Sequence, residues 1–287
     1  MEKINNMNIA YLNGAFLPLE DAKVSVLDRG FLFGDGIYEY LPSYGGKPFL
    51  LQEHLVRLQR SCDAIGLTNP YSTEQWTQLI DQLITKNGGG NLGLYFQITR
   101  GVAKRDHAFP QGVAPTVFIM ANSVSPAPRE QIDNGIACVS MVDIRWVRCD
   151  IKVISLLGNV LLRQAAVEAG GVEAVLFRDG FLTEGAASNI LVVRDDKLLV
   201  PPKDNFILPG ITYDLILELC ARNAVPFEVR QISEAEVKSA DELMMTASGR
   251  EVVAITKLDG NPVGTGKPGP LFLKLYQLYQ DYKAAVQ

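Results

Sequence analysis

Between the apolar strand predicted at Thr116–Ala121 and the next apolar run at Ile136–Met141, the chain crosses Asn122-Ser-Val-Ser-Pro-Ala-Pro-Arg129. Two prolines within three residues remove two backbone donors and fix two φ angles, so regular structure stops there. A chain of 287 residues with 47% hydrophobic content is long enough to bury more than one core. The break therefore predicts a small N-terminal domain over 1–121, a linker over 122–134 and a larger C-terminal domain over 135–287. Before it the pattern reads as a strand hairpin at 9–19, a glycine-rich turn, helices around 51–65 and 73–85, and strands at 93–100 and 116–121. Beyond it strands and helices mix again. Hairpin turns are expected at Asp179-Gly180, Asp195-Asp196 and Asp259-Gly260, and helices near 155–169, 213–223 and 270–285. Both halves are α+β.

Composition removes several function classes. A net charge of -5 argues against nucleic acid or an anionic membrane as partner. No apolar run approaches the ~20 residues that span a bilayer. The opening Met-Glu-Lys-Ile-Asn-Asn lacks the apolar core of a signal peptide, which predicts a cytoplasmic protein. The four cysteines (Cys62, Cys138, Cys149, Cys220) form no C-x-x-C pair, and with two histidines in all they suggest reduced thiols and no metal site.

Lys152 carries the most chemistry. It closes Asp143-Ile-Arg-Trp-Val-Arg-Cys-Asp-Ile-Lys152, between a predicted strand and a predicted helix, with isoleucine before it and valine after it. A lysine so flanked can be partly desolvated, which disfavours its charged form and frees a nucleophilic amine for Schiff-base chemistry. Taken alone it also reads as an interfacial lysine with its amine in water. Glu184 follows the Asp179-Gly180 turn, beside glycine and small residues that leave room for a flat ligand. A carboxylate there can hold a protonated ring nitrogen, although by itself it reads equally as a solvated turn glutamate. Gly264-Thr-Gly-Lys267-Pro-Gly is no nucleotide loop, because the P-loop spacing fails and Pro268 replaces the hydroxyl.

Six segments occur in a familiar order. They are Asp28-Arg-Gly-Phe-Leu-Phe-Gly-Asp-Gly-Ile-Tyr38-Glu39, Glu53-His-Leu-Val-Arg57-Leu, Arg105-Asp-His107, the lysine segment, Thr183-Glu-Gly-x-x-Ser188-Asn189 and Leu208-Pro-Gly-Ile211-Thr212. Together, from about Tyr11 to the final helix, the chain resembles the fold-type IV pyridoxal phosphate aminotransferases, most closely the D-amino-acid transaminases. The resemblance implies a two-domain α+β fold with pyridoxal 5'-phosphate between the domains. It also implies ping-pong transfer between D-amino acids such as D-alanine and 2-oxo acids such as 2-oxoglutarate or pyruvate, in a homodimer with shared active sites.

By the same resemblance Lys152 is the catalytic lysine and Glu184 the partner of the ring nitrogen. Arg57 grips the phosphate, a task that suits a guanidinium. Ile211 and Thr212, opening a helix, and Ala247 and Ser248 add backbone and hydroxyl donors. Ser188, Asn189 and the ring-packing Leu208 complete the cofactor set. Arg105, His107 and Tyr38 match a carboxylate trap whose loop reaches into the neighbouring subunit, and Tyr40 matches a side-chain pocket position. Arg100 reads as structural. The sequence departs from the family at Tyr40 and Pro42, where valine and lysine are frequent, at Ala186-Ala187, which replaces a serine-rich stretch, and at Gly249-Arg250. A branched-chain L-amino-acid aminotransferase, an aminodeoxychorismate lyase and a non-catalytic cofactor carrier stay open as alternatives. The first of these does not need the R-x-H pair.

Overall fold

The structure, a computed structural model, describes residues 8–125 and 127–286, so the opening Met-Glu-Lys-Ile-Asn-Asn lies outside the described residues. The chain separates into two units. One runs to Ser125 and takes in Ile151–Ser155; the other holds the chain up to Asp150 and from Leu156 to Val286. The expected 122–134 linker contains the end of a strand and a six-residue helix. The chain also returns to the first unit at Ile151–Ser155, so the division is no single cut. The return has a plain cause, since Ile151 and Val153 are buried in the first unit's core.

The first unit holds β1 (Ile9–Leu12), β2 (Ala15–Pro18), β3 (Gly36–Tyr44), β4 (Lys47–Pro48), β5 (Leu92–Thr99) and β6 (Thr116–Ser123), with α1 (Arg29–Phe33), α2 (Leu51–Ala64) and α3 (Thr73–Lys86). Its six-stranded sheet has the order β2-β1-β6-β5-β3-β4, every pair antiparallel. Strand alternation sends Ile37, Leu41, Phe96 and Ile119 to one face, where Leu58 of α2 and Trp76 and Ile80 of α3 close the core. The other face, with Tyr38, Tyr40, Tyr95 and Gln97, is half-buried. Ser72 opens α3 with a capping box completed by Gln75.

β3 is a correction to the glycine-rich turn read from sequence. Pro42 looks like a strand breaker, but its carbonyl accepts from Phe49 N at 2.9 Å on the side of two-residue β4. Its missing donor faces that short edge, so pairing with β5 runs on from Gly36 to Ser43.

The second unit contains β7 (Ile136–Val142), β8 (Glu173–Arg178), β9 (Phe181–Gly185), β10 (Asn189–Arg194), β11 (Lys197–Val200), β12 (Phe227–Val229), β13 (Glu242–Ala247), β14 (Glu251–Leu258) and β15 (Asn261–Pro262). Its helices are α4 (Arg129–Asn134), α5 (Leu157–Glu168), α6 (Ile211–Arg222), α7 (Glu234–Lys238) and α8 (Pro270–Ala285). The sheet order is β12-β11-β10-β13-β14-β7-β8-β9, with β15 beside β14. β14, β7 and β8 pair in parallel, which makes the sheet mixed. The β8–β9 hairpin turns at Asp179 (φ 52°) and Gly180 (φ 81°), both left-handed as a two-residue hairpin requires.

Candidate active site

The residues singled out from sequence fall into two groups, one in each unit. In the first, Ile151–Ser155 runs beside the start of β3. Tyr38 N donates to Lys152 O at 2.9 Å, Ile154 N to Gly36 O at 3.1 Å, and Ile37 bridges Val153. Ser61 on α2 accepts from Lys152 N at 3.4 Å. With its backbone pinned and its neighbours Ile151 and Val153 buried, the Lys152 side chain stays half-buried. Its Nζ rests 4.3 Å from the centre of the Tyr38 ring. No carboxylate lies within ion-pair distance of that amine among the described residues. Tyr38 in turn stacks on Tyr95, with ring centres 5.5 Å apart.

Arg57 projects from α2 into the core, where Glu39 of β3 receives it through two hydrogen bonds, Nε to Oε1 at 2.7 Å and Nη2 to Oε2 at 2.8 Å. His54, one turn earlier, donates from Nδ1 to Glu39 Oε2 at 2.8 Å. Burial pushes the Glu39 carboxyl up, but the Arg57 guanidinium and the His54 ring outweigh it and hold it far below the carboxylate range. Burial likewise keeps His54 below its ordinary value and therefore neutral. Arg57 is thus oriented by Glu39, while Glu53, the i−4 partner available on the helix, is exposed. Sequence reading gave Glu39 and His54 no role, although both lie inside quoted motifs.

Arg105 and His107 lie exposed on the loop after β5, with Arg105 5.3 Å and His107 5.5 Å from the Phe33 ring. Neither touches Lys152 or Tyr38 through a hydrogen bond, ion pair or ring contact. The loop is held from beneath by buried Arg29, whose guanidinium donates to the carbonyls of Asp106, His107 and Ala108 and pairs with Asp35 at 2.7 Å. Arg100 also grips Asp35, at 2.9 Å, and donates to the carbonyls of Ile65 and Gly66.

In the second unit Glu184 is buried on β9 and is no solvated turn glutamate. Its Oε1 contacts Arg145 Nη1, and its Oε2 accepts from Asn189 Nδ2 at 3.1 Å and Leu208 N at 3.0 Å. Arg145 is shared, giving Nε and Nη2 to Asp143 at 2.9 Å each. Burial raises the Glu184 carboxyl to about 7, even though Arg145 and the Leu208 N–H favour its charge. Asp143 and Arg145 were quoted in the lysine segment without a role; the D-x-R spacing at the end of a strand is the signal that could have found them. Glu173, also overlooked, is buried and fixes the β9–β10 turn by accepting from Ala186 N and Ser188 Oγ, each at 3.2 Å.

Gly210 is the N-cap of α6 and offers no side-chain cap, which leaves the N–H groups of the first turn, Ile211 and Thr212 included, for another acceptor. A Cβ at Gly210 would fall on Asn189 Oδ1 and lie 3.1 Å from Asn189 Cγ. Ala247 and Ser248 are half-buried at the end of β13, and the buried hydroxyl of neighbouring Thr246 has no partner.

These features fit the cofactor that the resemblance implies. Lys152 supplies an amine without an acid partner. Glu184 has three donors on a carboxylate with about four acceptor positions, so one is left for a ring N–H. Uncapped α6 and orphaned Thr246 Oγ1 suit an anion with several oxygens.

Comparison with known proteins adds independent findings. The family model of amino-transferase class IV matches residues 36–258. A D-alanine aminotransferase of Staphylococcus epidermidis is 40% identical over 276 residues, covering 96% of this chain and 98% of its own length. One of Bacillus licheniformis is 38% identical over 259 residues, covering 90% and 91%. Among solved structures, the T.th. branched-chain amino acid aminotransferase with pyridoxamine 5'-phosphate superposes with a TM-score of 0.89 at 25% identity, covering 96% of this chain and 93% of that one.

Proposed function

The chain belongs to the amino-transferase class IV family, and we propose accordingly that it transfers the amino group between D-amino acids such as D-alanine and 2-oxo acids such as 2-oxoglutarate or pyruvate, using pyridoxal 5'-phosphate. The observation that carries the reading is the half-buried Lys152 amine, resting on Tyr38 without an acid partner. The bound cofactor supplies an electrophilic carbonyl and a ring that accepts electrons.

The rest is the work of this chain's side chains. Lys152 would hold the cofactor through its amine, and as a free amine it would move the proton at substrate Cα. Glu184 would hold the ring nitrogen, and its place between Arg145, Asn189 and Leu208 N fixes the direction of its free lone pair. Leu208 would pack against the ring, with Ser188 and Asn189 completing the cofactor set. Arg57, aimed by Glu39, and the N–H groups of Ile211 and Thr212 bind phosphate, with Ala247 and Ser248 as further donors. Arg105, His107 and Tyr38 hold the substrate carboxylate, and Tyr40 lines its side-chain pocket.

We also propose a cytoplasmic homodimer with shared sites. Supporting it, Arg105 and His107 are exposed in one chain, and the second unit exposes Val142, Ile144, Val147, Leu157, Val160 and Leu161, apolar side chains that a partner subunit would cover. The four buried, unpaired cysteines suit a reducing compartment. No helix among the described residues is long and apolar enough to cross a membrane.

Transfer from branched-chain L-amino acids is the second reading, favoured by the structural likeness at 25% identity. The higher identity to D-alanine aminotransferases and the presence of Arg105 and His107 favour the D-series. Mixing cofactor-loaded protein with one donor at a time separates them. D-alanine is expected to bleach the visible band of the bound cofactor while L-leucine leaves it; the opposite pattern overturns the assignment.

A further inference from the structure

Tyr40 is bulky where the family often carries valine, so a phenol there threatens to fill the pocket that it should line. The structure shows where the ring goes. Tyr40 lies opposite Tyr95 on the half-buried face of the first sheet, and Gly93 is its diagonal neighbour on β5. A Cβ built on Gly93 would overlap Tyr40 Oη and come within 2.6 Å of Tyr40 Cζ and 3.0 Å of Val124 Cγ2. The tip of the phenol therefore occupies the space that any other residue at 93 would take. Gly93 has no left-handed φ and no turn to make, so its backbone gives no reason for glycine. Its missing side chain is what the packing uses.

The direction of this tilt matters. Tyr38, which carries the Lys152 amine, pairs in register with Gln97, four residues along β5 from Gly93 and roughly 13 Å away at the strand rise. Tyr95, between them, leans the other way and donates its hydroxyl to Gln97 Oε1 at 2.6 Å. Tyr40 thus folds away from the lysine end, and its ring tip lies over Gly93 rather than over the stacked Tyr38 and Tyr95.

We propose that Gly93 and Tyr40 act as a pair that sets the length of the substrate side-chain pocket, with Gly93 seating the Tyr40 ring as an end wall so that donors with side chains reaching past Cγ are accepted. The inference rests on the reading of the site as a D-amino-acid aminotransferase centre. With a methyl group at 93 the ring cannot stay where it is. The methyl group, itself 3.0 Å from Val124 Cγ2, has no room to turn aside, so the ring is expected to shift toward its cross-strand neighbour Tyr95 and shorten the pocket.

The test compares kcat/KM for D-alanine, D-norvaline and D-norleucine in three variants. Gly93→Ala is expected to lower the two longer donors roughly tenfold or more, through KM, with D-alanine within a few-fold of wild type. Tyr40→Val removes the end wall and is expected to raise D-norleucine relative to D-alanine. In Gly93→Ala/Tyr40→Val no phenol remains to be displaced, so the longer donors recover. Recovery in the double variant separates this coupling from simple damage to the sheet, and melting curves monitor folding. If Gly93→Ala does not fold, Tyr40→Val still decides, since an unchanged ratio of D-norleucine to D-alanine overturns the end wall. Equal losses for all three donors in Gly93→Ala, or no recovery in the double variant, overturn the pairing. Failure of the wild type to use any D-amino acid would instead defeat the functional reading beneath it.

Discussion

Glu184 and Glu39 are both buried carboxyls, and their partners decide opposite outcomes. Glu39 has the Arg57 fork and the His54 donor, so its charge is favoured over the cost of burial. Glu184 shares one guanidinium with Asp143, whose own charge opposes it, and burial lifts it to about 7. A raised carboxyl means that the folded protein keeps its proton to higher pH than the unfolded chain. Raising the pH from 4.5 towards 7 deprotonates the unfolded chain first, so this group's contribution is most favourable at low pH and is lost as pH passes the folded value. We predict that cofactor-free wild type loses up to about 3 kcal/mol relative to Glu184→Gln over that window. Denaturant unfolding of both proteins across the range checks it, and a constant difference between them would sink the idea.

Among the elements, α6 has the most to lose from a small change. Gly210 has an ordinary φ of -73°, so alanine there brings no backbone strain. Its Cβ would instead drive Asn189 off Leu208 O, which it reaches at 2.9 Å, and off Glu184. Gly210→Ala is expected to weaken pyridoxal phosphate binding roughly tenfold or more while melting changes by only a few degrees. Titration of the visible absorption against added cofactor measures this; unchanged affinity would show that the Asn189 contacts with Leu208 O and Glu184 do not support the cofactor site. Elements with a clear period or cap, such as α2, α3 and α8, were readable in the sequence because local signals and burial agree there. β3 was not. Gly34, Gly36 and Pro42 announce turns, whereas the strand exists because β5 supplies a long partner and Pro42 meets only a short edge.

For the whole molecule, the proposed shared site requires Arg105 to serve the lysine of a neighbour. Lys152 and Arg105 belong to the same unit, yet nothing joins their side chains within one chain. We predict that mixing Lys152→Ala with Arg105→Met subunits restores activity. A mixed dimer sharing its sites has one site with wild-type Lys152 and wild-type Arg105, so equal mixing recovers about a quarter of wild-type turnover. No recovery, with subunit exchange verified by mass, would confine the loop to its own subunit. The α+β class and the family could be read along the chain, because six segments follow one another in the family's order; Lys152, Glu184 and Arg57 are ambiguous one at a time, and the roles proposed for them come from that order. Their partners could not be read this way. Glu39 is 18 residues from Arg57, Arg145 is 39 from Glu184, and Arg29 holds carbonyls nearly 80 residues away. Packing likewise placed Ile151–Ser155 with the first unit and folded Tyr40 over Gly93. Spacing along a chain reports which face a side chain takes; which distant group meets it there is settled only when the faces are packed.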